Sequence, residues 1–171
     1  FIIGHNGCGK SAILTAITVT LGGKAQTTSR GSSLKDFILE GAQAAEVRVR
    51  LRNGGSDAYR PDLYGDAINI ERRIHSDGSG SWKIKNADGK TISTKREELD
   101  AICDHANIQV DNPMNILSQD AARQFLGSSQ PEDKYSFFLR GTQLTQLAQE
   151  YELIQTNIQR MKRAIALTED I

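Results

Sequence analysis

The sequence predicts a mixed α/β lobe that contains an antiparallel β subdomain and gives rise to a coiled-coil stem. Three observations carry this reading. A glycine-rich loop, Gly4-His5-Asn6-Gly7-Cys8-Gly9-Lys10-Ser11, lies between an apolar triplet and an apolar-striped helix. A middle stretch alternates apolar and polar residues with period two, and the closing segment repeats its apolar residues every seventh position. The composition permits such a fold. A chain of 171 residues with 38% hydrophobic and 25% charged content can build one ordinary core and is not a disordered composition. The 21 basic and 21 acidic residues cancel, so any affinity for nucleic acid must come from local patches. No apolar run approaches the roughly 18 residues of a membrane span, and no membrane partner is expected. No signal peptide is visible. Two cysteines, Cys8 and Cys103, make no disulfide framework and point to a reducing compartment. The apolar start Phe1-Ile2-Ile3 and the heptad end at Ile171 suggest part of a longer polypeptide.

The elements follow in order. Residues 10–21 read as a helix with Ile13, Leu14, Ile17 and Leu21 on one stripe, stopped by Gly22-Gly23. A polar loop over 24–33 precedes a short helix over 34–41. Val47, Val49 and Leu51 then alternate with Arg48, Arg50 and Arg52, the pattern of a half-buried strand with a basic outer face. Gly54-Gly55 opens a long connection. Further strands are expected over 67–75 and 81–85, with turn chemistry at 76–80, and Asp88-Gly89 turns into a possible fourth strand, KTIST. Helical patterning returns at Thr94-Lys95-Arg96-Glu97, which matches a capping box. Leu99, Ile102, Cys103 and Ala106 follow at helical spacing. An irregular stretch over 108–119 leads to a helix over 120–126. A second capping box, Ser129 with Glu132, precedes a helix from Pro131 to Gly141. Last, Leu144, Tyr151, Ile158 and Ile165 form one seven-residue seam, and Leu147, Ile154 and Met161 the other. The alternative reading of that spacing is a long helix lying on a globular core. The expected division is a lobe over 1–141 and a neck over 142–171.

The loop at 4–11 matches G-x-x-x-x-G-K-[ST], a phosphate-binding P-loop. Each residue type answers a physical demand. Glycines let the backbone curl so that amide N–H groups converge on phosphate oxygens. The following helix directs its positive end at the same point. Lys10 supplies a mobile full charge for the β- and γ-phosphates, and the Ser11 hydroxyl can ligate Mg²⁺. ATP with Mg²⁺ is the expected ligand, held by Asn6, Gly7, Cys8, Gly9, Lys10 and Ser11. Hydrolysis by such a site also needs an apolar strand ending in a carboxylate. The nearest match, Ile116-Leu117-Ser118-Gln119-Asp120, is interrupted by Ser118-Gln119.

With these residues in view, the sequence resembles a known family. The loop GHNGCGKS, then TAITVTLGGKA, RGSSLKDFILEG, NPMNILSQDAARQFL and PEDKYSFFLRGTQL fall in the order of the N-terminal half of a structural maintenance of chromosomes (SMC) ATPase head. The resemblance runs from Phe1 to about Tyr151. It implies an ABC-type P-loop NTPase head whose chain leaves as a coiled coil and returns with the carboxylate and signature motifs. It places Gln119 at the Q-loop position, near Mg²⁺ or the attacking water, and Arg30 at the arginine-finger position near the phosphates. Catalysis would then use Lys10, Gln119 and Arg30, with Ser11 and Gln119 toward the metal. Asn6 matches a position on the γ-phosphate side, and the His5 and Cys8 side chains fill variable positions. The implied partners are the head of the fifth family member, a kleisin subunit at the neck through Leu147, Ile154 and Met161, and double-stranded DNA with little sequence preference. The implied setting is the nucleus and chromosome, in DNA repair and chromosome organisation, with activity only in the assembled head.

Other groups are weighed beside these. Cys103, Asp104 and His105 are adjacent on a helix and do not share a face, which argues against a metal site. Arg48, Arg50 and Arg52, with Arg72, Arg73, Lys83 and Lys85, are either a DNA-facing sheet surface or an ordinary solvated face. Trp82 reads as a core or sheet-face residue. Rival functions are an interaction module whose neck binds a kleisin-type subunit without nucleotide, a zinc-hook type repair ATPase head, and a stand-alone P-loop kinase.

Overall fold

The computed structural model describes residues 1–28, 31–127 and 130–169. The chain divides into two compact units, Phe1–Asp111 and Asn112–Ile171. The expected lobe–neck division at 141/142 coincides instead with a break between two helices inside the second unit, where Gln143 takes a left-handed φ of 58°.

The first unit is built on a four-stranded antiparallel meander in sequence order: β1 (Ala44–Arg52), β2 (Ala67–His75), β3 (Gly80–Lys85) and β4 (Thr91–Ser93). Register follows the alternation read from the sequence. Val49 pairs with Ile70 and Ile70 with Ile84, so these residues share one face. Ile68, Ile70, Ile74 and Ile84 are each 2% exposed or less. Helix α1 (Lys10–Thr20) packs its last turn on this face. Leu99, Ile102 and Cys103 of a later helix, α3 (Arg96–His105), are buried with them. The fourth strand is shorter than the expected KTIST, and its pairing with β3 shifts at Ile84/Lys85.

Helix α1 corrects the expected apolar stripe. Ile13, Leu14 and Ile17 are 46%, 43% and 37% exposed, whereas Thr18, Val19, Thr20 and Leu21 are buried. Only the C-terminal end of α1 is covered. The threonines tolerate burial because each hydroxyl donates to a carbonyl one turn back, Thr18 to Leu14 at 2.9 Å and Thr20 to Ala16 at 2.7 Å. Gly22-Gly23 stops the helix as expected. Gly22 has φ 97°, and the Gly23 amide donates to Thr18 O at 2.9 Å.

The expected helix over 34–41 is a single 3₁₀ turn, Leu34–Phe37. The Asp36 carboxylate accepts the amides of Ser32 and Ser33, both at 2.9 Å, which closes the turn from its N-terminal side. The long connection after Gly54-Gly55 contains an unexpected turn of helix, α2 (Pro61–Tyr64). Tyr64 is fully buried and donates to Glu98 of α3 (Arg96–His105) at 2.8 Å. The capping box expected at Thr94 does not form. The helix starts two residues later, with Lys95 at the N-cap and no side-chain cap, and Ser93 Oγ accepts the Lys95 amide at 3.1 Å.

The second unit holds α4 (Gln119–Gly127), α5 (Pro131–Gly141) and α6 (Leu144–Glu169). Pro131 opens α5 as expected, but the N-cap is Gln130 without a side-chain cap, and Ser129 lies outside the described residues. The rings of Phe125 and Phe137 meet at 4.5 Å. The heptad segment is one helix of 26 residues with both seams exposed, at 43–65% for the described seam residues.

The buried Cys103 gives a first prediction. Its side chain is sealed and burial pushes the thiol from 9.0 up to about 11. Cys8 is exposed. A chromogenic disulfide reagent at pH 8 will therefore react with one thiol of the folded chain and two in denaturant. The unfolded chain loses the Cys103 proton near 9 and the folded chain near 11, so between these values the unfolded state binds fewer protons. Stability will fall as pH rises through that window. Cys103→Ala will remove that part of the slope, and an unchanged slope would contradict the assignment.

Candidate nucleotide-binding site

The loop from Gly4 to Ser11 has the geometry its residues demand. Gly7 and Gly9 lie at φ 84° and 92°, a region costly for side-chain-bearing residues. A Cβ on Gly4 would collide with Cys8 Sγ. Gly9 is the N-cap of α1, and its carbonyl accepts the amides of Ala12 at 2.9 Å and Ile13 at 3.1 Å. The amides of Lys10 and Ser11, in the first turn, have no acceptor within the helix and point out of its N-terminus. Lys10 Nζ donates to Gly4 O at 2.6 Å and His5 O at 2.7 Å, and lies 3.7 Å from Cys8 Sγ. The ammonium is thereby held against the first residues of its own loop. Asn6, Gly7, Cys8, Gly9 and Ser11 are exposed. This donor set fits a polyphosphate: outward amides, a helix N-terminus and one mobile cation, with the Ser11 hydroxyl beside them for a divalent metal. The apolar triplet before the loop forms no strand. Phe1, Ile2 and Ile3 are 115%, 56% and 82% exposed, with no neighbouring strand to pair them among the described residues.

The other expected site residues are scattered. Gln119 is exposed and is the first residue of α4, which Ser118 starts by accepting the Ala121 amide at 3.2 Å on its hydroxyl. It belongs to the second unit, the P-loop to the first. Arg30 lies outside the described residues. Leu147, Ile154 and Met161 form an exposed stripe on α6. Cys103 is buried while Asp104 and His105 are exposed, and His105 Nε2 sits 2.9 Å from Asp57 O, so these three residues do not converge.

Arg48, Arg50 and Arg52 do share the outer sheet face, with Arg73, Lys83 and Lys85 on the paired strands. Arg72 does not. It belongs by parity with Ile70 and Ile74, and it is buried on the inner face over Trp82. Trp82 also faces inward and donates its Nε1 proton to Thr20 O at 3.0 Å. The outer face is not uniformly free. Arg48 pairs with Glu46 at 2.6 Å and Glu71 at 3.3 Å, and Lys85 pairs with Glu71 at 2.7 Å. Lys85, Arg48 and Lys83 hold the Glu71 carboxyl below its usual range. Of the three β1 arginines, Arg50 and Arg52 make no ion pair among the described residues, so they are the available charges of that strand. Sequence charge alone concealed this, but strand parity would have separated Arg72 from the rest.

Comparison with known proteins places this geometry. A family model described as "AAA domain" matches residues 1–170. Structural maintenance of chromosomes protein 6 of Schizosaccharomyces pombe is 49% identical over 165 residues, 96% of this chain and 14% of that protein. The Homo sapiens protein of the same name is 49% identical over 165 residues, 96% of this chain and 15% of that protein. The chain thus spans about one seventh of the length of these relatives. A solved structure described as "Structural biochemistry of ATP-driven dimerization and DNA stimulated activation of SMC ATPases" superposes with TM-score 0.66 at 28% identity, over 82% of each chain. Another, "Crystal structure of the SmcHead bound to the C-winged helix domain of ScpA", gives TM-score 0.57 at 30% identity over 73% of this chain and 38% of that one. The glycine-rich loop, the antiparallel meander and the long closing helix therefore have one common explanation: the chain belongs to the AAA domain family, as the N-terminal part of an SMC-type ATPase head that matches the structural maintenance of chromosomes protein 6 sequences.

Proposed function

We propose that this chain supplies the ATP-gripping half of a chromosome-maintenance ATPase head, with Mg²⁺ as cofactor. The observation that carries the proposal is the loop 4–11, with Gly7 and Gly9 left-handed and Lys10 at the start of α1. In this reading the amides of residues 6–11 and the Lys10 ammonium hold the phosphates, and Ser11 offers its hydroxyl to the metal. Arg30 and Gln119 complete the site from the positions that the family resemblance gives them. ATP binding brings two heads together, so that the loop of each faces the signature motif of the other. Hydrolysis removes the γ-phosphate and lets the heads part. The carboxylate that activates water is expected outside these residues. The partner head is structural maintenance of chromosomes protein 5, and the work done is clamping of duplex DNA in repair and chromosome organisation in the nucleus. Magnesium-dependent uptake of ATP by the intact protein paired with its partner head tests this reading, and absence of uptake would overturn it.

A second reading rests on the exposed stripe Leu147, Ile154 and Met161. We propose that a kleisin subunit covers it, in line with a similar SMC head solved "bound to the C-winged helix domain of ScpA". The two readings are compatible within one assembly.

For DNA, the unpaired Arg50 and Arg52 are the residues to change. Arg50→Glu with Arg52→Glu will weaken duplex binding by the intact complex at least tenfold at low salt. It will also flatten the slope of log affinity against log salt by about two, the loss of two phosphate contacts. Arg48→Glu alone will do less, because Arg48 already faces Glu46 and Glu71. Unchanged affinity in the double variant would make this an ordinary solvated face.

A further inference from the structure

At the C-terminal end of α1, Gly22, Gly23, Lys24, Arg72, Trp82 and Arg96 line a cavity of about 240 Å³, with Ser32 and Ser33 also in its lining. None of these residues belongs to the P-loop. Arg72 is 6% exposed, and its Cζ lies 3.3 Å from the centre of the Trp82 ring. Arg96 Cζ lies 5.6 Å from the same ring. The hydrogen bond from Trp82 Nε1 to Thr20 O fixes the indole, and that from Arg96 Nη2 to Gly22 O, at 3.2 Å, ties the second guanidinium to the cavity wall.

The charge in this cavity is unbalanced. Arg72 Nε and Nη1 are buried and donate to no group among the described residues. No carboxylate lines the cavity among the described residues. Asp100 offsets Arg96, whose Nε it faces at 3.5 Å, and Asp36 accepts the Ser32 and Ser33 amides, so Arg72 is the guanidinium left without a carboxylate. Burial and the neighbouring Arg96 lower Arg72 to about 10, still protonated at neutral pH. A buried guanidinium without a counter-charge is costly, and stacking on an indole offsets only part of that cost. Arg72 thus leaves a net positive charge beside the cavity, which favours an anion within it. Two planar guanidiniums beside one indole, with Lys24 in the same lining, match a compact group with several charged oxygens. A duplex phosphodiester, set on a wide convex backbone, does not enter a recess that leaves Arg72 this buried.

We infer that this cavity is a second anion site, and that it takes a phosphomonoester dianion, either free phosphate or a phosphorylated side chain of a partner segment. The chain carries a single tryptophan, Trp82, which reports directly on the cavity. Inorganic phosphate is titrated into the full chain at pH 7.5 and constant ionic strength, in a Lys10→Ala background that keeps the P-loop out of the signal. The expected result is a saturable change in Trp82 emission, weakened at least tenfold by Arg96→Met. Lys24→Met, an exposed change that touches no packing, weakens it less and serves if Arg96→Met does not fold. A phosphoserine peptide that binds more tightly than phosphate identifies the carried source; equal affinity identifies the free ion. An emission change that follows ionic strength alone, one untouched by both variants, or displacement of phosphate by duplex DNA at lower concentration would each overturn the inference.

Discussion

Lys10→Ala will abolish magnesium-dependent ATP uptake and turnover by the intact protein paired with its partner head. The affinity will fall about a hundredfold or more. Lys10 carries the only full charge of the loop 4–11. Its ammonium now makes two short hydrogen bonds to neutral carbonyls, Gly4 O and His5 O. Exchange of these for triphosphate oxygens replaces neutral acceptors by anionic ones, and ion-paired hydrogen bonds of this kind are worth about 1.5–3 kcal/mol each. Two such contacts account for about 3 kcal/mol, or roughly two factors of ten in affinity. The fold will survive. Alanine suits the first turn of a helix, and the Lys10 ammonium bonds to carbonyls of its own loop. Circular dichroism should be unchanged while calorimetry loses its ATP signal. Lys10→Arg will not rescue, because a rigid planar fork does not replace a compact ammonium on a flexible stem. Binding of a neck partner to Leu147, Ile154 and Met161 should be unaffected. If Lys10→Ala leaves ATP uptake intact, the nucleotide reading fails and the interaction reading stands alone.

That site was legible because its chemistry is contiguous. The residues 4–11 act through their own backbone, so spacing alone specifies the geometry, and Gly7 and Gly9 adopt the left-handed conformations that spacing demands. The strands were legible for a similar reason: the alternation at 47–52 and 67–75 fixes which side faces in. Legibility failed where the deciding partner is distant or where polarity misleads. Arg72 was grouped by charge with Arg48 and Arg50, although its parity places it beside Ile70 and Ile74. Thr18 and Thr20 carry no apolar signal, yet they are buried because their hydroxyls bond within the helix. Ile13, Leu14 and Ile17 carry that signal, yet only the last turn of α1 meets the sheet. The turn Pro61–Tyr64 looked like loop, because what anchors Tyr64 is Glu98, 34 positions away. Nothing local in the sequence brings these two together.

The residue that most controls that connection is Asn53, which reads in the sequence as one more polar residue before Gly54-Gly55. It is 7% exposed. Its Nδ2 donates to Tyr59 O at 2.9 Å and Gly65 O at 2.8 Å, and its Oδ1 accepts the Tyr59 amide at 2.8 Å. One side chain therefore pins both arms of the connection between β1 and β2. It also sets Tyr59 against Tyr64 and His105, with ring centres at 5.8 Å and 5.2 Å. Asn53→Ala removes three buried hydrogen bonds and leaves two carbonyls and one amide without partners. At about 1 kcal/mol each, the expected loss is about 3 kcal/mol, seen as a lower urea midpoint with an unchanged slope and a melting temperature about 10 °C lower. Asn53→Asp keeps the acceptor for Tyr59 but turns a carboxylate toward two carbonyls, so it will be at least as damaging at pH 7. Burial and the two carbonyls raise the folded-state carboxyl above its unfolded value, so part of the loss is recovered as the pH falls toward about 4, where the protonated carboxyl can donate once. A loss below about 0.5 kcal/mol for Asn53→Ala would mean that solvent satisfies all three groups and that the connection holds without its pin.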